Sequence, residues 1–259
     1  MLKGAVQRVA SRFGLEITRS RARWRGKPVA PDLLEELDPV EKAILWQVED
    51  YTMTSPERIV ALIRATRYLV RARAPGAFVE CGAWRGGSMM AAALTLLAEH
   101  DTSRDLYLFD TFGGMSAPTE KDRDMAGNPA GALLASSPAR TGIWCYAAFD
   151  DVQDNLRGTG YPGDKIHLVK GRVEDTLPHP ELSELALVRL DTDWYESTYH
   201  ELRHLFPALA VGGVLMLDDY GHWQGAREAA DRYFAENPWP PVYLHRVDYT
   251  CRMAIKCQG

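Results

Sequence analysis

The chain alternates short apolar segments with amphipathic ones, and this alternation restricts the fold more than any other feature of the sequence. The apolar segments predict strands over residues 77–80, 106–109, 166–169, 185–190 and 214–217. Apolar residues at helical spacing predict helices over residues 87–99, 196–209 and 224–235. Strands that alternate with helices favour an α/β fold with a mostly parallel sheet and helices on both faces. The last two apolar segments, 242–247 and 252–255, predict an antiparallel pair.

The N-terminal part differs from the rest in charge. Residues 1–28 contain eight Lys or Arg and one acid, whereas the remaining chain contains 22 basic and 34 acidic residues. Apolar spacing predicts a basic amphipathic helix over 1–14. A solvated arm or a contact between subunits fits it better than nucleic-acid binding, because few aromatic residues interleave with the basic ones.

The domain organisation follows from this contrast. We expect a basic arm over 1–30 and a single domain over 31–259 in a protein that forms a homo-oligomer. Residues 31–75 would form an N-terminal helical lid, with one helix over 32–52 and a second that begins after Thr54. The four cysteines are scattered without a C-x-x-C pair, and we find neither a signal-peptide core nor an apolar run of membrane-spanning length. These observations favour a cytoplasmic protein with free thiols and no membrane span.

Two runs of acidic residues follow two successive predicted strands. Asp191 and Asp193 come after the strand over 185–190, and Asp218 and Asp219 come after the strand over 214–217. Single aspartates at such places usually cap helices or close turns. Clustered carboxylates repel one another, so they share protons or hold a cation, and Mg²⁺ prefers such oxygen ligands. The two runs therefore predict a metal or catalytic site.

The first predicted strand runs into a glycine-rich turn, VECGAWRGGS. Gly82 lets the backbone approach a ligand, and the helix that follows offers its N–H groups. The spacing is not that of a dinucleotide motif, and Glu80 would repel a pyrophosphate. Glu80 suits an ammonium group and Ser88 suits a carboxylate, which together describe the end of an amino acid. We expect Gly82 and Trp84 to line this ligand.

The second predicted strand ends at Asp110, where an acidic residue commonly binds two ribose hydroxyls. Thr111 and Phe112 could pack beside an adenine, and the turn after the third strand brings Gly171 and Val173 to the same edge. A ribose, an adenine and an amino acid together imply S-adenosylmethionine. A glycine-rich turn alone would be weak support, because tight turns are common.

Several motifs resemble those of the macrocin O-methyltransferase family: VECGAWRGGS, LFDTFGGM, VRLDTDWYEST, PALAVGG and LMLDDY. The likeness covers about residues 51–233. It implies a Rossmann-like class I methyltransferase fold with a mostly parallel seven-stranded sheet, an antiparallel C-terminal strand and Mg²⁺. The metal ligands would be Asp191, Asp218 and Asp219. Glu80, Gly82, Ser88 and Asp110 would line the cofactor, and the resemblance adds Asp191 to that set. Thr52 and Met53 resemble the segment that covers its methionine end.

The resemblance also suggests a mechanism, in which a base takes the proton of an acceptor hydroxyl. The more distant catechol-type methyltransferases have a lysine where this chain has Trp194, so a carboxylate is preferred. Asp191 is expected to be both ligand and base, with Asp193 and His222 as further candidates. Gln47, Tyr51 and His222 are proposed to contact the acceptor, expected to be a small hydroxylated and glycosylated natural product.

Three other functions fit parts of the sequence. Asp191-Thr192-Asp193 matches the D-x-D motif of metal-dependent glycosyltransferases, although the second acidic run fits that class poorly. His200 and His204 lie in HELRH, a zinc-peptidase signature, but helical spacing turns both away from the buried face. A non-catalytic scaffold would not need the carboxylates.

Residues 113–139 predict a long polar loop at the ligand end of the sheet.

Overall fold

The computed structural model describes residues 23–138 and 142–258. A short hairpin joins β1 Arg23–Trp24 to β2 Lys27–Pro28. A seven-stranded sheet forms the centre of the domain, and its strands are β3 Ala77–Cys81, β4 Leu106–Asp110, β5 Ile166–Lys170, β6 Leu185–Leu190, β7 Leu209–Leu217, β8 His245–Arg246 and β9 Arg252–Ile255. Their order in the sheet is β5-β4-β3-β6-β7-β9-β8. The first five, β3 to β7, are mutually parallel, which confirms the predicted parallel sheet, and β9 is antiparallel to both of its neighbours, β7 and β8.

Helices cover both faces of this sheet. One apolar cluster joins Phe78, Leu108 and Met216 to the helices on one face, and a second joins Val79, Phe109 and Leu217 to α8 and α9 on the other. This division follows the strand period of two, by which neighbouring residues point to opposite faces. The helices are α1 Pro31–Glu36, α2 Pro39–Val48, α3 Pro56–Arg71, α4 Gly87–Ala98, α5 Ala130–Ser136, α6 Phe149–Arg157, α7 Val173–Thr176, α8 Tyr195–Leu205 and α9 Gln224–Glu236.

Two strand boundaries near the C-terminus differ from the expectation. β7 begins at Leu209, inside the segment expected to end a helix, because Pro207 cannot continue the hydrogen bonds of α8. β8 is only His245–Arg246 rather than 242–247, and Pro240 and Pro241 precede it.

The single helix expected over 32–52 is divided at Asp38. The Asp38 carboxylate accepts hydrogen bonds from the backbone N–H groups of Val40 and Glu41, both at 2.8 Å, and Glu41 accepts one from Asp38 N at 2.9 Å. This reciprocal cap starts α2 at Pro39. The helix expected after Thr54 is present as α3.

Part of the predicted basic arm packs on the domain. Trp24 is buried and donates a hydrogen bond from Nε1 to the carbonyl of Thr54 at 3.0 Å. The helix predicted over 1–14 lies outside the described residues, so the arm's role and the division at residue 30 stay predictions. No helix among the described residues is long and apolar enough to cross a membrane.

The described part of the expected polar loop, residues 113–138, is packed against the domain. It contains α5, and α5 packs with Trp194 and Trp223 in a third apolar cluster. Asp122 is fully buried and accepts a hydrogen bond from Tyr195 N at 2.8 Å, which ties the segment to the start of α8. Sequence spacing did not reveal the two additional helices, α6 and α7.

Candidate active site

A cavity of about 340 Å³ opens where the carboxyl ends of β3, β4, β6 and β7 meet. In open α/β sheets, ligands bind where the strand order reverses, and here the reversal falls between β3 and β6. The volume is of the size typical of small-molecule sites. The cavity wall includes most of the residues predicted from the sequence: Thr52, Met53, Gly82, Trp84, Ser88, Asp110, Thr111, Gly171, Val173, Asp191, Asp218, Asp219 and His222.

Four predicted residues are not on this wall. Glu80 is buried within the sheet and Phe112 packs edge-on against Phe149, with ring centroids 5.0 Å apart. The Tyr51 ring faces the guanidinium of Arg85 at 4.9 Å, and Gln47 lies on α2. Their predicted contacts with cofactor or acceptor therefore lack support from the cavity.

The glycine-rich turn is held against Asp110. Asp110 Oδ2 accepts hydrogen bonds from Ala83 N at 2.7 Å and Trp84 N at 3.1 Å, and Oδ1 accepts one from Phe112 N at 2.7 Å. Burial raises the pKa of Asp110 above its usual value, although these N–H groups oppose the rise. A carboxylate has about four acceptor positions, so the three N–H groups leave about one for a ligand hydroxyl. Thr111 Oγ1, 3.5 Å from Asp110 Oδ1, donates its hydrogen to the Gly114 carbonyl at 2.6 Å.

Gly82 brings this turn next to the aspartates. Its φ is +82°, and a Cβ placed there would lie 2.0 Å from the carbonyl oxygen of Asp191. Any other residue would therefore push β3 and β6 apart at their carboxyl ends. Glycine at this position places the predicted cofactor turn and the acidic runs on one cavity wall.

Three carboxylates of the two acidic runs converge beside this turn. Oxygen atoms of Asp191, Asp193 and Asp219 lie within 4.8 Å of one another. Burial raises the pKa of Asp191 and of Asp219 well above the usual value, and it raises the pKa of Asp193 to about 7. Asp219 Oδ2 is buried and has no hydrogen-bond partner among the described residues. Adjacent carboxylates whose charged forms are disfavoured by burial, together with an unpartnered oxygen, suit a bound cation that would compensate their charge.

Asp218, the remaining predicted ligand, is engaged differently. Arg189 donates from Nη2 to Asp218 Oδ1 at 2.7 Å, and Arg58 Nη1 pairs with Asp218 Oδ2. Burial alone would raise the pKa of Asp218, but the two guanidinium groups outweigh it and hold that pKa below the usual value. Both oxygens of Asp218 thus face arginine, so the cluster differs from the predicted set by containing Asp193 in its place.

The two arginines, which sequence reasoning missed, also lie on the cavity wall. Arg189 also pairs with Glu80 Oε1 at 2.5 Å and with Asp191 Oδ2 at 2.8 Å, and it is almost fully buried. One guanidinium cannot compensate three carboxylates, and burial raises the pKa of Glu80 to about 7. A charged residue inside the otherwise apolar strand LALVRL was the signal that could have revealed Arg189. Arg58 carried no such signal, because it lies in an ordinary amphipathic helix.

The zinc-peptidase motif on α8 does not form a metal site in the described part of the chain. Glu201 is fully buried and accepts a hydrogen bond from Thr192 Oγ1 at 2.9 Å, on the side facing the active site. His200 Nε2 instead contacts the Leu177 carbonyl at 3.2 Å. The Glu201 side chain therefore supports residues 191–193, the aspartate loop, and points to a different side of α8 from the His200 imidazole.

Sheet order and cavity position together define a Rossmann-like fold of the class I methyltransferase type. The O-methyltransferase NovP has the same fold, with a TM-score of 0.70 and 26% sequence identity over 80% of this chain and 83% of NovP. Residues 36–254 match the family model of macrocin O-methyltransferases, and the chain belongs to that family.

Two characterised relatives agree with this assignment. The chain is 29% identical over 195 residues to the demethyldecarbamoylnovobiocin O-methyltransferase of Streptomyces niveus, covering 74% of this chain and 70% of the relative. It is 32% identical over 179 residues to the 8-demethyl-8-(2,3-dimethoxy-α-L-rhamnosyl)-tetracenomycin-C 4'-O-methyltransferase of Streptomyces olivaceus, covering 68% and 64%. The protein is an S-adenosylmethionine-dependent O-methyltransferase, which decides against the glycosyltransferase, peptidase and scaffold alternatives.

Proposed function

We propose that this enzyme methylates a hydroxyl on the sugar of a glycosylated natural product, and that the carboxylate cluster would hold Mg²⁺ to assist the reaction. The observation that carries the proposal is the cavity. Its wall contains both the glycine-rich turn that Asp110 holds and the carboxylate cluster of Asp191, Asp193 and Asp219. The acceptor class follows from the relatives, since the name of the Streptomyces olivaceus enzyme includes a rhamnosyl group. Self-association stays a prediction.

The residues present fit S-adenosylmethionine. Asp110 would accept hydrogen bonds from the ribose, and Thr111, Gly171 and Val173 lie on the same wall for the adenine. Ser88 and the free N–H groups at the start of α4 suit the carboxylate of the methionine end. Thr52 and Met53 would cover that end.

The carboxylates also fit Mg²⁺, because a hard cation takes oxygen ligands and the cluster has unbalanced negative charge. We propose Asp191, Asp193 and Asp219 as the groups that hold it, with Asp218 as the alternative third ligand implied by the family. When bound, S-adenosylmethionine supplies a methyl group on a positively charged sulfur, and Mg²⁺ lowers the pKa of an oxygen in contact with it.

Transfer would form a C–O bond at the acceptor oxygen and break the methyl–sulfur bond, with S-adenosylhomocysteine as the leaving group. A side chain of this protein would take the proton of the acceptor hydroxyl. Asp191 is our first candidate because it lines the cavity between the cofactor turn and the cluster. Asp193 is the second, because it also lines the cavity and its carboxylate oxygen lies within 4.8 Å of an oxygen of Asp191. Burial lowers the pKa of His222, so the imidazole is a third possible acceptor.

The first test is isothermal titration of S-adenosylhomocysteine into the purified protein, with Mg²⁺ and after EDTA treatment. We expect saturable binding in both conditions and methyl transfer only with Mg²⁺, because the proposed ion assists the acceptor oxygen rather than the cofactor. Absence of binding would refute the assignment of the cofactor site. Full transfer activity after EDTA treatment would refute the metal proposal.

Four variants, each measured for S-adenosylhomocysteine affinity, Mg²⁺ affinity and transfer rate, separate the proposed roles. Asp191→Asn should abolish transfer and keep S-adenosylhomocysteine affinity within about threefold. Asp193→Asn and Asp218→Asn distinguish the two possible third ligands. The variant that lacks the true ligand should bind Mg²⁺ more weakly, and the other variant should keep its Mg²⁺ affinity. His204→Gln, on the outer side of α8, is the control and should change none of these quantities.

A further inference from the structure

The turn between β8 and β9 forms one rim of the cavity and carries an exposed aromatic ring. Tyr249 lines the cavity although its side chain is 59% exposed. Its hydroxyl lies 3.4 Å from His222 Nδ1, and the two rings stand nearly perpendicular with centroids 6.0 Å apart. His222 in turn packs edge-on against Trp223, with ring centroids 4.8 Å apart. Tyr249 and His222 therefore make a continuous aromatic wall beside the carboxylate cluster.

Asp248 fixes this turn to the rest of the protein. Its Oδ1 accepts hydrogen bonds from Thr250 N at 2.9 Å and Cys251 N at 2.8 Å. Its Oδ2 accepts one from Ser55 Oγ at 2.9 Å and pairs with Arg58 Nε at 3.0 Å. One carboxylate thus shapes the turn and anchors it to the first turn of α3.

The turn is also joined directly to the end of β7. Gly221 N donates to Thr250 O at 2.7 Å, and Thr250 Oγ1 donates to Asp218 O at 2.6 Å. A Cβ at Gly221 would lie 1.9 Å from the Tyr249 carbonyl oxygen, so glycine permits this close approach. The Tyr249 backbone is therefore held at a set distance from Asp218 and Asp219.

We propose that Tyr249 and His222 bind the acceptor, and that Asp248 is the positioning residue that holds Tyr249 for this contact. The phenol ring packs against the apolar C–H face of the sugar ring, while the phenol hydroxyl and the imidazole hydrogen-bond to the sugar hydroxyls. An aromatic ring with one polar end suits such a ligand, since a sugar ring has one face of C–H groups and an edge of hydroxyls. This inference rests on the proposed function, because it assumes an acceptor in the cavity.

The test uses 4-nitrophenyl α-L-rhamnopyranoside as the probe, with the full chain saturated by S-adenosylhomocysteine. Saturation-transfer NMR measures contact with the sugar protons, and titration of the probe gives its Kd. Tyr249→Ala should weaken probe binding about three- to tenfold, the value of one aromatic contact, and should reduce the saturation transferred to the sugar protons. Tyr249→Phe should keep most of that saturation transfer, because it keeps the ring.

Two further variants complete the design. Tyr243→Ala is the matched control, because Tyr243 is also exposed but lines a different surface pocket with Trp239 and Phe206. Asp248→Ala should reproduce the loss seen in Tyr249→Ala although Tyr249 is intact. In that variant, hydrogen exchange at Thr250 N and Cys251 N should become faster.

The outcomes separate this inference from the proposed function. Failure of the wild-type protein to bind S-adenosylhomocysteine would refute the proposed function itself. Two outcomes with normal S-adenosylhomocysteine binding would refute only the proposed acceptor contact of Tyr249 and His222. One is equal probe contact in wild type and Tyr249→Ala, and the other is no probe contact at all. Weakened S-adenosylhomocysteine binding in Tyr249→Ala would also overturn it, because the ring would then serve the cofactor.

Discussion

At the scale of single residues, the site depends on how buried charges are compensated. Arg189 contacts Glu80, Asp191 and Asp218, while Arg58 contacts Asp218 and Asp248. A buried charge without a partner is costly, so each arginine permits acids to stand at strand ends inside the protein. Arg58 also links α3 to the turn between β8 and β9 through its ion pair with Asp248.

Replacing Arg189 by Met should destabilise the protein strongly. The side chains are of similar size, but Met leaves Glu80, Asp191 and Asp218 without their shared cation. We expect the free energy of unfolding, measured by urea denaturation, to fall by about 3–5 kcal/mol, as when a buried ion pair loses one partner. Arg157→Met removes an exposed arginine and should cost less than about 1 kcal/mol. Equal losses in the two variants would contradict the role assigned to Arg189.

At the scale of secondary-structure elements, the segment 113–138 is a packed wall of the cavity. Gly114, Met115 and Ser116 line the cavity. Trp194 Nε1 donates to the Ser116 carbonyl at 3.1 Å. The N-cap residue of α8 makes no capping hydrogen bond of its own, and Asp122 accepts the hydrogen bond from Tyr195 N in its place. The segment and α8 therefore stabilise each other, and the aspartate loop before α8 is fixed by the same contacts.

Asp122→Ala tests this mutual support. The change removes a buried carboxylate that accepts hydrogen bonds from Thr119 and Tyr195. We expect a loss of about 1–3 kcal/mol in the free energy of unfolding. Hydrogen exchange measured by mass spectrometry should also become faster across 113–138 and the first turn of α8. Asp164→Ala, at an exposed aspartate, is the control. Unchanged exchange in Asp122→Ala would show that the segment is held by its apolar contacts alone.

At the scale of the whole molecule, residues 23–25 support one wall of the cavity from outside it. Trp24 is buried beside α2 and the 52–54 segment, with its ring 6.0 Å from that of Trp46. Arg25 Nη1 donates to the Thr52 carbonyl, and Thr52 and Thr54 line the cavity. Residues 23–25 therefore hold the segment that is proposed to cover the cofactor.

Trp24→Ala should therefore affect both stability and cofactor binding. Loss of a buried tryptophan costs about 3–5 kcal/mol, so thermal unfolding should shift to lower temperature. Affinity for S-adenosylhomocysteine, measured by titration below the unfolding transition, should fall because Thr52 and Thr54 lose their support. Trp24→Phe keeps most of the ring and should show smaller effects of both kinds. Wild-type affinity in a folded Trp24→Ala protein would separate the N-terminal segment from the site.

Much of this architecture was predictable from local patterns. Apolar periodicity predicted the five parallel strands and α3, α4 and α9, because burial on a strand or helix imposes a regular spacing. Most boundaries agree within a few residues, but β7 begins at Leu209 rather than at residue 214. The acids at the carboxyl ends of β4, β6 and β7 were predicted to meet at one sheet edge, since parallel strands end there. Asp110, Asp191, Asp218 and Asp219 all lie on the cavity wall.

Local sequence by itself determined the order of strands and helices and the acidic, glycine-rich character of the strand ends. Only the tertiary structure decided which charges pair, because Arg58 meets Asp218 across 160 positions of the chain and Arg189 meets Glu80 across 109. It likewise brought Tyr249 to the rim and assembled Asp193 with Asp191 and Asp219. Spacing along a chain reports which face of an element is buried, whereas the partners of a buried charge depend on how distant elements pack.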